Sequence, residues 1–289
     1  MMMATAHGGW CHASPFKVSD SLLYPVPMVR YQDSLHLHYF DHYLKGKKNE
    51  VEKWPLIYYY NLAEEKYKKS DVWPIENTTE EEFYLHAGGT LTSVKPQTAD
   101  TFDTYKVDFG VYTSKKNRWT TQMAGPVINL NDRGEMDERM LCYTSSPMEY
   151  DVQITGTPII SLELSSTHDD GAVLVYLEDV DEKGKSTYIT EGGLRLIHRK
   201  LIENPEDEMN LHSFNEEDAM PMIPGEKTNV MFKLWPTSVL IKKGHSIRVA
   251  IAGADKSVFD KFPKRGKPEL TIYSGKEQTS FITLPIVKD

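Results

Sequence analysis

The residues able to do acid-base chemistry gather near the start of the sequence. His12 closes the run Gly8-Gly9-Trp10-Cys11-His12, a short glycine-containing loop ahead of a helical stretch. An imidazole there can be presented to a cleft as a general base, or it can be an ordinary surface histidine, and the residues alone leave both readings open. Cys11 beside it does not make a Cys-His nucleophile pair, because sequence neighbours usually point apart and catalytic partners meet in space. A serine nucleophile of the α/β type is signalled by G-x-S-x-G on a strained strand-to-helix turn. None of the 18 glycines begins that motif; the nearest, Gly244-His245-Ser246, runs on into Ile247 and Arg248 within an alternating strand. His36, His38 and His42 offer a metal-like spacing, with His38 and His42 one helical turn apart and Asp41 near. No further Cys or His cluster completes a tetrahedral shell, so they read as helix-face histidines. Gly88-Gly89 and Gly192-Gly193 do not precede helices and read as turns or bulges, not as phosphate-cradling loops. Tyr58 to Tyr60, Trp73, Phe83 and Tyr84 can stack on a sugar, but aromatics in strands mostly pack in a core. No motif implies a cofactor or a metal.

These side chains need a frame, and the chain is long enough to build one. Its 289 residues correspond to roughly two domains, or one large β domain with something attached. A hydrophobic fraction of 39% with 11% aromatics supplies the large apolar side chains that a disordered chain lacks. The 33 basic and 42 acidic residues give a net charge of −9, which argues against nucleic acid as a partner. Apolar runs such as Ala172 to Leu177 fall far short of the ~20 residues that span a bilayer, and the N-terminus lacks a signal pattern, so a cytoplasmic chain off the membrane is expected. Cys11 and Cys142 fit neither a disulfide framework nor a zinc spacing and read as free thiols.

In the first fifty residues Met28, Tyr31, Leu35, Tyr39 and His42 recur at three- and four-residue steps, which predicts a helix from about Pro27 to Lys45 that stops at Gly46. Beyond Gly46 the period changes to that of strands. Pro55 to Tyr60 and Glu82 to His86 are short candidates, and Ile160, Leu162 and Leu164 alternate with Ser161 and Glu163, which places one face on a core and one in water. Ala172 to Val180 is apolar nearly throughout and reads as a strand buried on both faces, turning at Asp181 to Gly184 into Lys185 to Thr190. Further alternation marks Val230 to Leu234 and Ile247 to Ile251, and Phe281 to Leu284 gives a last strand. Asn204 to Asp218, rich in acidic residues, reads as a solvated loop. Roughly ten strands without intervening helices favour an antiparallel sandwich, with a jelly roll the preferred topology.

Several phrases in order carry a resemblance: Gly9-Trp10-Cys11-His12, Phe40-Asp41-His42-Tyr43-Leu44-Lys45-Gly46, Ser70-Asp71-Val72-Trp73-Pro74, Phe83-Tyr84-Leu85 with Gly88-Gly89, Leu141-Cys142-Tyr143-Thr144-Ser145, Pro236-Thr237-Ser238 and Gly244-His245-Ser246-Ile247-Arg248. From about Gly8 to Leu284 the sequence resembles the back half of the cocaine esterase and X-Pro dipeptidyl-peptidase family of serine hydrolases, which includes glutaryl acylases. The resemblance implies a mainly β fold: residues 1–50 as the end of an α/β-hydrolase catalytic domain, and residues 51–289 as a jelly roll of galactose-binding type. The family's catalytic histidine closes Gly-Pro-Trp-Ser-His, and the matching position is His12, with Gly9 replacing Pro and Cys11 replacing Ser. Nucleophile, acid and oxyanion hole precede that histidine in the family, so they are expected upstream of Met1. The expected partner is then an N-terminal catalytic half, in the same gene or a separate chain, or a small acyl or peptide substrate, and the chain alone is expected to be inactive. The helix from Pro27 to Lys45 would lack the parallel sheet that normally covers Tyr31, Leu35 and Tyr39. A stand-alone jelly roll that binds carbohydrate or protein is the alternative.

Overall fold

Alternating apolar side chains need a second layer to bury them, and this chain supplies that layer from itself. The computed structural model describes residues 16–17, 23–24, 29–64, 66–99, 101–113, 132–203 and 211–288. Strands β1 (Phe16–Lys17) and β2 (Leu23–Tyr24) pair as a minimal ribbon before helix α1 (Val29–Lys45). A 3-10 turn, Glu50–Lys53, follows and is capped by Asn49, whose Oδ1 accepts from the Val51 amide at 3.1 Å. Strands β3 (Ile57–Asn61) and β4 (Lys66–Ser70) form a separate hairpin.

The remaining strands share one hydrogen-bonded network of thirteen. They are β5 (Thr78–His86), β6 (Thr90–Thr92), β7 (Thr101–Lys106), β8 (Leu141–Ser145), β9 (Val152–Gly156), β10 (Ile159–Ser166), β11 (Ala172–Val180), β12 (Ser186–Arg195), β13 (Thr228–Lys233), β14 (Thr237–Ile241), β15 (Ser246–Ala252), β16 (Glu269–Ser274) and β17 (Phe281–Val287). A short helix, α2 (Gly134–Asp137), leads into β8. The order β12-β11-β15-β8-β6-β5-β17-β10-β16-β7, with β13 beside β10 and β9 between β14 and β17, joins strands distant in sequence. Such crossovers are those of an antiparallel jelly-roll sandwich. The β6–β8 pair is parallel while the other strand ladders are antiparallel. β5 connects the two halves: it pairs with β17 from Thr78 to Tyr84 and with β6 from Tyr84 to His86.

The core forms where the apolar periods converge. Ile160, Leu162 and Leu164 of β10, Val230 of β13, Ile282 and Leu284 of β17 and Val249 and Ile251 of β15 are fully buried. On β11, Val173, Val175 and Leu177 face one way and Leu174 and Tyr176 the other, and all five are buried, as the continuous apolar run predicts. The polar face of β10 is a correction to the expected alternation. Ser161 and Ser165 are buried and Glu163 is half-buried. Asn229 of β13 donates to Ser161 Oγ at 3.0 Å and to Glu163 Oε1 at 2.9 Å, so a neighbouring strand takes the place of water.

The glycine pairs divide. Gly88 and Gly89 sit at φ +87° and +85° in the β5–β6 turn, as read. Gly192 and Gly193 lie inside β12 and are neither turn nor bulge, because they pair in register with Val175 and Leu174. A Cβ on Gly192 would stand 2.6 Å from the Lys233 carbonyl oxygen, so the glycine admits a close backbone approach. Helix α1 begins at Val29, two residues after the expected Pro27, and ends at Lys45 as expected, with Gly46 left-handed at φ +66°.

Candidate functional site

Two structures compete for a functional role: the helix that leads into the sandwich, and a set of charges inside it. His12, with Gly9 and Cys11, lies outside the described residues, as does the side chain of Tyr31.

On α1 the apolar side chains face solvent. Leu37, Tyr39, Phe40, Tyr43 and Leu44 are all at least 47% exposed, Leu44 reaching 76%, while Leu35 is half-buried. The rings hold one another: Tyr39 lies 4.7 Å from Tyr43 and 5.5 Å from Phe40, centroid to centroid. The sequence picked out Tyr39 and Leu35 from one stripe; exposure is broader and reaches Leu37, Phe40, Tyr43 and Leu44. The helix is fastened at its end. Asp41 takes Lys45 Nζ at 2.7 Å and Lys47 Nζ at 2.9 Å, and these two ammonium groups hold its carboxyl below the usual range. Asn49 Nδ2 donates to the His38 carbonyl at 2.7 Å. A fastened helix presenting clustered aromatic and aliphatic side chains to water has the composition of a docking face.

One of the helix histidines, His42, serves the same fastening. His42 Nδ1 is 3.1 Å from the Lys47 carbonyl and 3.9 Å from Glu52. Among the described residues no group of three His, Cys, Asp or Glu side chains is placed to hold a metal ion. The aromatic candidates mostly pack: Tyr60 and Tyr84 are buried, Tyr58 stacks on Tyr67 at 4.8 Å, and Trp73 is 44% exposed.

Parts of a relay exist in the sandwich but are dispersed. His245, before β15, places Nδ1 2.8 and 3.0 Å from the two Asp179 oxygens of β11. Burial raises the Asp179 carboxyl, and the hydrogen bond from His245 opposes that rise. His168 Nδ1 lies 2.9 Å from Thr167 Oγ1, a hydroxyl–imidazole contact without the carboxylate. Cys142 Sγ donates to the Asp137 carbonyl at 3.4 Å, and burial pushes its thiol far up, so it is held as an inert thiol and not as a thiolate nucleophile.

The charges the sequence reading missed form one buried cluster. Glu178, fully buried in β11, accepts from Arg133 Nε at 2.6 Å and from Ser186 Oγ at 2.6 Å. Arg133 also lies over the Tyr176 ring at 4.3 Å, and the Tyr176 hydroxyl donates to Asp255 Oδ2 at 3.0 Å. Beside them Arg248 Nη1 meets Asp137 Oδ2 at 2.6 Å. Burial raises the Glu178 carboxyl to about 7 against the pull of Arg133. Glu178 faces Arg133 and Asp137 faces Arg248, while Asp255 is met by the Tyr176 hydroxyl and backbone amides, and the cluster binds strand β11 to the segment that carries α2. Its signal in the sequence was Glu178-Asp179 inside an apolar run, since charges buried with a strand must find partners.

Comparison with known proteins bears on the family and the fold. Residues 49–283 match the model of the X-Pro dipeptidyl-peptidase C-terminal non-catalytic domain. A Mycobacterium bovis protein provisionally named a serine esterase is 35% identical over 285 residues, which cover 97% of this chain and 45% of that protein. Cocaine esterase of Rhodococcus sp. is 23% identical over 308 residues, covering 97% of this chain and 51% of the esterase. The crystal structure of a CocE/NonD family hydrolase from Staphylococcus aureus shares the fold with a TM-score of 0.70 at 19% identity, over 90% of this chain and 46% of that one. The chain spans about half the length of the curated relatives it matches.

Proposed function

We propose a role from the premise that this chain belongs to the X-Pro dipeptidyl-peptidase C-terminal domain family, the β portion of CocE/NonD-type hydrolases. In this role the jelly roll is a non-catalytic body, and α1 joins it to an α/β catalytic portion that carries the serine nucleophile, the acid and the oxyanion hole. The reaction is hydrolysis of an amide or ester: the activated serine attacks the acyl carbon, His12 takes its proton and returns it to the leaving group, and water, deprotonated by the same imidazole, then cleaves the acyl–serine bond and restores the serine hydroxyl. This chain contributes the imidazole and the scaffold. By itself it does not hydrolyse, because a base without its nucleophile has nothing to activate.

The observation that carries the reading is the exposed face of α1. Leu37, Tyr39, Phe40, Tyr43 and Leu44 stand in water on a helix otherwise well fastened, and such a face is covered when the catalytic portion is present. Exposure of the purified chain to a fluorophosphonate probe and aryl esters is expected to give neither labelling nor turnover. Adding the catalytic portion of the Mycobacterium bovis relative, the part this chain does not match, is expected to give a labelled serine in that portion and ester turnover. His12→Ala abolishes the turnover. Labelling of a serine in this chain alone overturns the reading.

A further inference from the structure

Exposed apolar side chains are unevenly distributed along the chain. Among the described residues seventeen large apolar side chains stand exposed, and eight of them fall between Leu37 and Trp73: the five of α1, then Leu56, Val72 and Trp73. The other nine are scattered from Val94 to Phe259. Single exposed apolar residues are normal on a folded protein, whereas several gathered on one part of its surface mark a contact site. Leu56, Val72 and Trp73 form such a second group, with Leu56 68% exposed.

These residues stand at the open end of the β3–β4 hairpin. Ile57 pairs with Ser70, so Leu56 enters the hairpin beside the point where Asp71, Val72 and Trp73 leave it. The ends are held together. The Leu56 amide donates to Asp71 Oδ1 at 3.2 Å, and Ser70 Oγ accepts from the Val72 amide at 3.2 Å and donates to the Val72 carbonyl at 2.8 Å. The hairpin is in turn anchored on the sandwich, because Leu62, just past β3, is buried, donates its amide to the Ser238 carbonyl at 2.8 Å and accepts from the Leu240 amide at 3.1 Å. On the other side, the ten residues from Gly46 to Pro55 lead back to α1. That connection is itself fixed, by Asn49 on the His38 carbonyl and by the buried Val51.

Size argues that α1 does not bind a partner alone. A stable interface takes roughly 20–30 residues from each side, and α1 offers five exposed large apolar side chains on a helix of 17 residues. More surface is needed. The next exposed apolar group along the chain is the hairpin mouth, and it contains a tryptophan, one of the residue types that most often anchor an interface. Its position in the chain says what covers it. The match to the non-catalytic domain begins at residue 49, so Leu56 is the first exposed large apolar side chain on that domain's side of the boundary, as Leu44 is the last on the other. The chain covers only 45% and 51% of two relatives, so each carries about as much chain again beyond the matched part. Resting on the role proposed above, we infer that the catalytic portion docks on two surfaces joined by residues 46–55, the outer face of α1 and the mouth of the β3–β4 hairpin, with Trp73 as the anchor of the second.

The test uses the full chain and the catalytic portion of the Mycobacterium bovis relative, with hydroxyl-radical footprinting of the unaltered chain read by mass spectrometry. No variant has to fold. Trp73 and Leu56 are expected to be oxidised readily in the free chain and severalfold more slowly in the complex, while Phe102, exposed on β7, keeps its rate. Affinity supplies a second measure. Trp73→Ala is expected to weaken binding of the catalytic portion by about tenfold, and Phe102→Ala to leave it unchanged. An unchanged Trp73 rate in a complex that turns over ester, or equal affinities of the parent, Trp73→Ala and Phe102→Ala chains, overturns the inference and leaves the role of α1 standing. Equal losses from the two variants overturn it as well. Slower oxidation of Trp73 when the chain alone is concentrated assigns the surface to a second copy and also overturns it. Failure of any complex to form overturns this inference together with the role on which it rests.

Discussion

Helix α1 and strand β11 are both rich in large apolar side chains and have opposite surroundings. β11 is enclosed by β12 on one side and β15 on the other, and Val173, Val175, Tyr176 and Leu177 are essentially shielded from water. α1 carries Leu37, Tyr39, Phe40, Tyr43 and Leu44 into solvent. Apolar residues make a core only when another element of the same body presents a matching surface; otherwise they make an interface. Polar residues invert in the same way. Asp41 on α1 is paired by two lysines at the surface, whereas Glu178 on β11 is sealed in with Arg133.

The contrast is open to measurement, starting with the largest expected effect. At about pH 8, Arg133→Ala removes the charge that holds the buried Glu178 carboxyl down, so Glu178 either stays charged without its partner or takes up a proton, and the change is expected to cost about 3–5 kcal/mol in urea unfolding. An unchanged midpoint would mean that water reaches Glu178. Leu177→Ala opens a cavity in the enclosed strand and is expected to cost about 2–5 kcal/mol by the same measurement.

The third prediction concerns pH. Burial raises the Glu178 carboxyl from its ordinary 4.5 to about 7, so between those values the folded chain keeps a proton that the unfolded chain has released. Its contribution to stability is complete below about 4.5 and is lost as pH rises through about 7, amounting to up to ~3 kcal/mol. Urea midpoints are expected to fall from about pH 5 to about pH 7.5, and Glu178→Gln is expected to flatten that slope. A stability that rises over this interval in the parent chain contradicts the buried cluster. The smallest effect belongs to the helix: Leu44→Ala is expected to change stability by no more than about 0.5 kcal/mol, and α1 amides are expected to exchange hydrogen through local opening while those of β11 wait for global unfolding. A Leu44→Ala cost near that of Leu177→Ala would show that the α1 face is already covered.

Reading from sequence succeeded where one residue's surroundings follow from its neighbours in the chain. The run Ala172 to Val180, the Asp181–Gly184 turn, the Gly46 stop and the alternation at Ile247 to Ile251 each became the element they predicted. Strands β7 and β16 escaped because Thr101–Lys106 and Glu269–Ser274 mix threonine, acid and aromatic residues, and their strand character comes from pairing with each other. The site was legible only in part. His12 rests on a phrase shared with a family, and the aromatic face of α1 was recognised along one stripe when the uncovered surface is wider.

Composition and period by themselves determined that this chain folds, that it is mainly β, and that a helix with an apolar stripe, ended by Gly46, precedes the strands of the sandwich. They do so because side-chain polarity repeats at the pitch of the backbone. Tertiary structure alone decided that Glu178 meets Arg133 from 45 residues away and that Gly192 admits the Lys233 backbone. Those facts depend on which distant segments the crossovers bring within a few ångströms, and a local period holds no record of that.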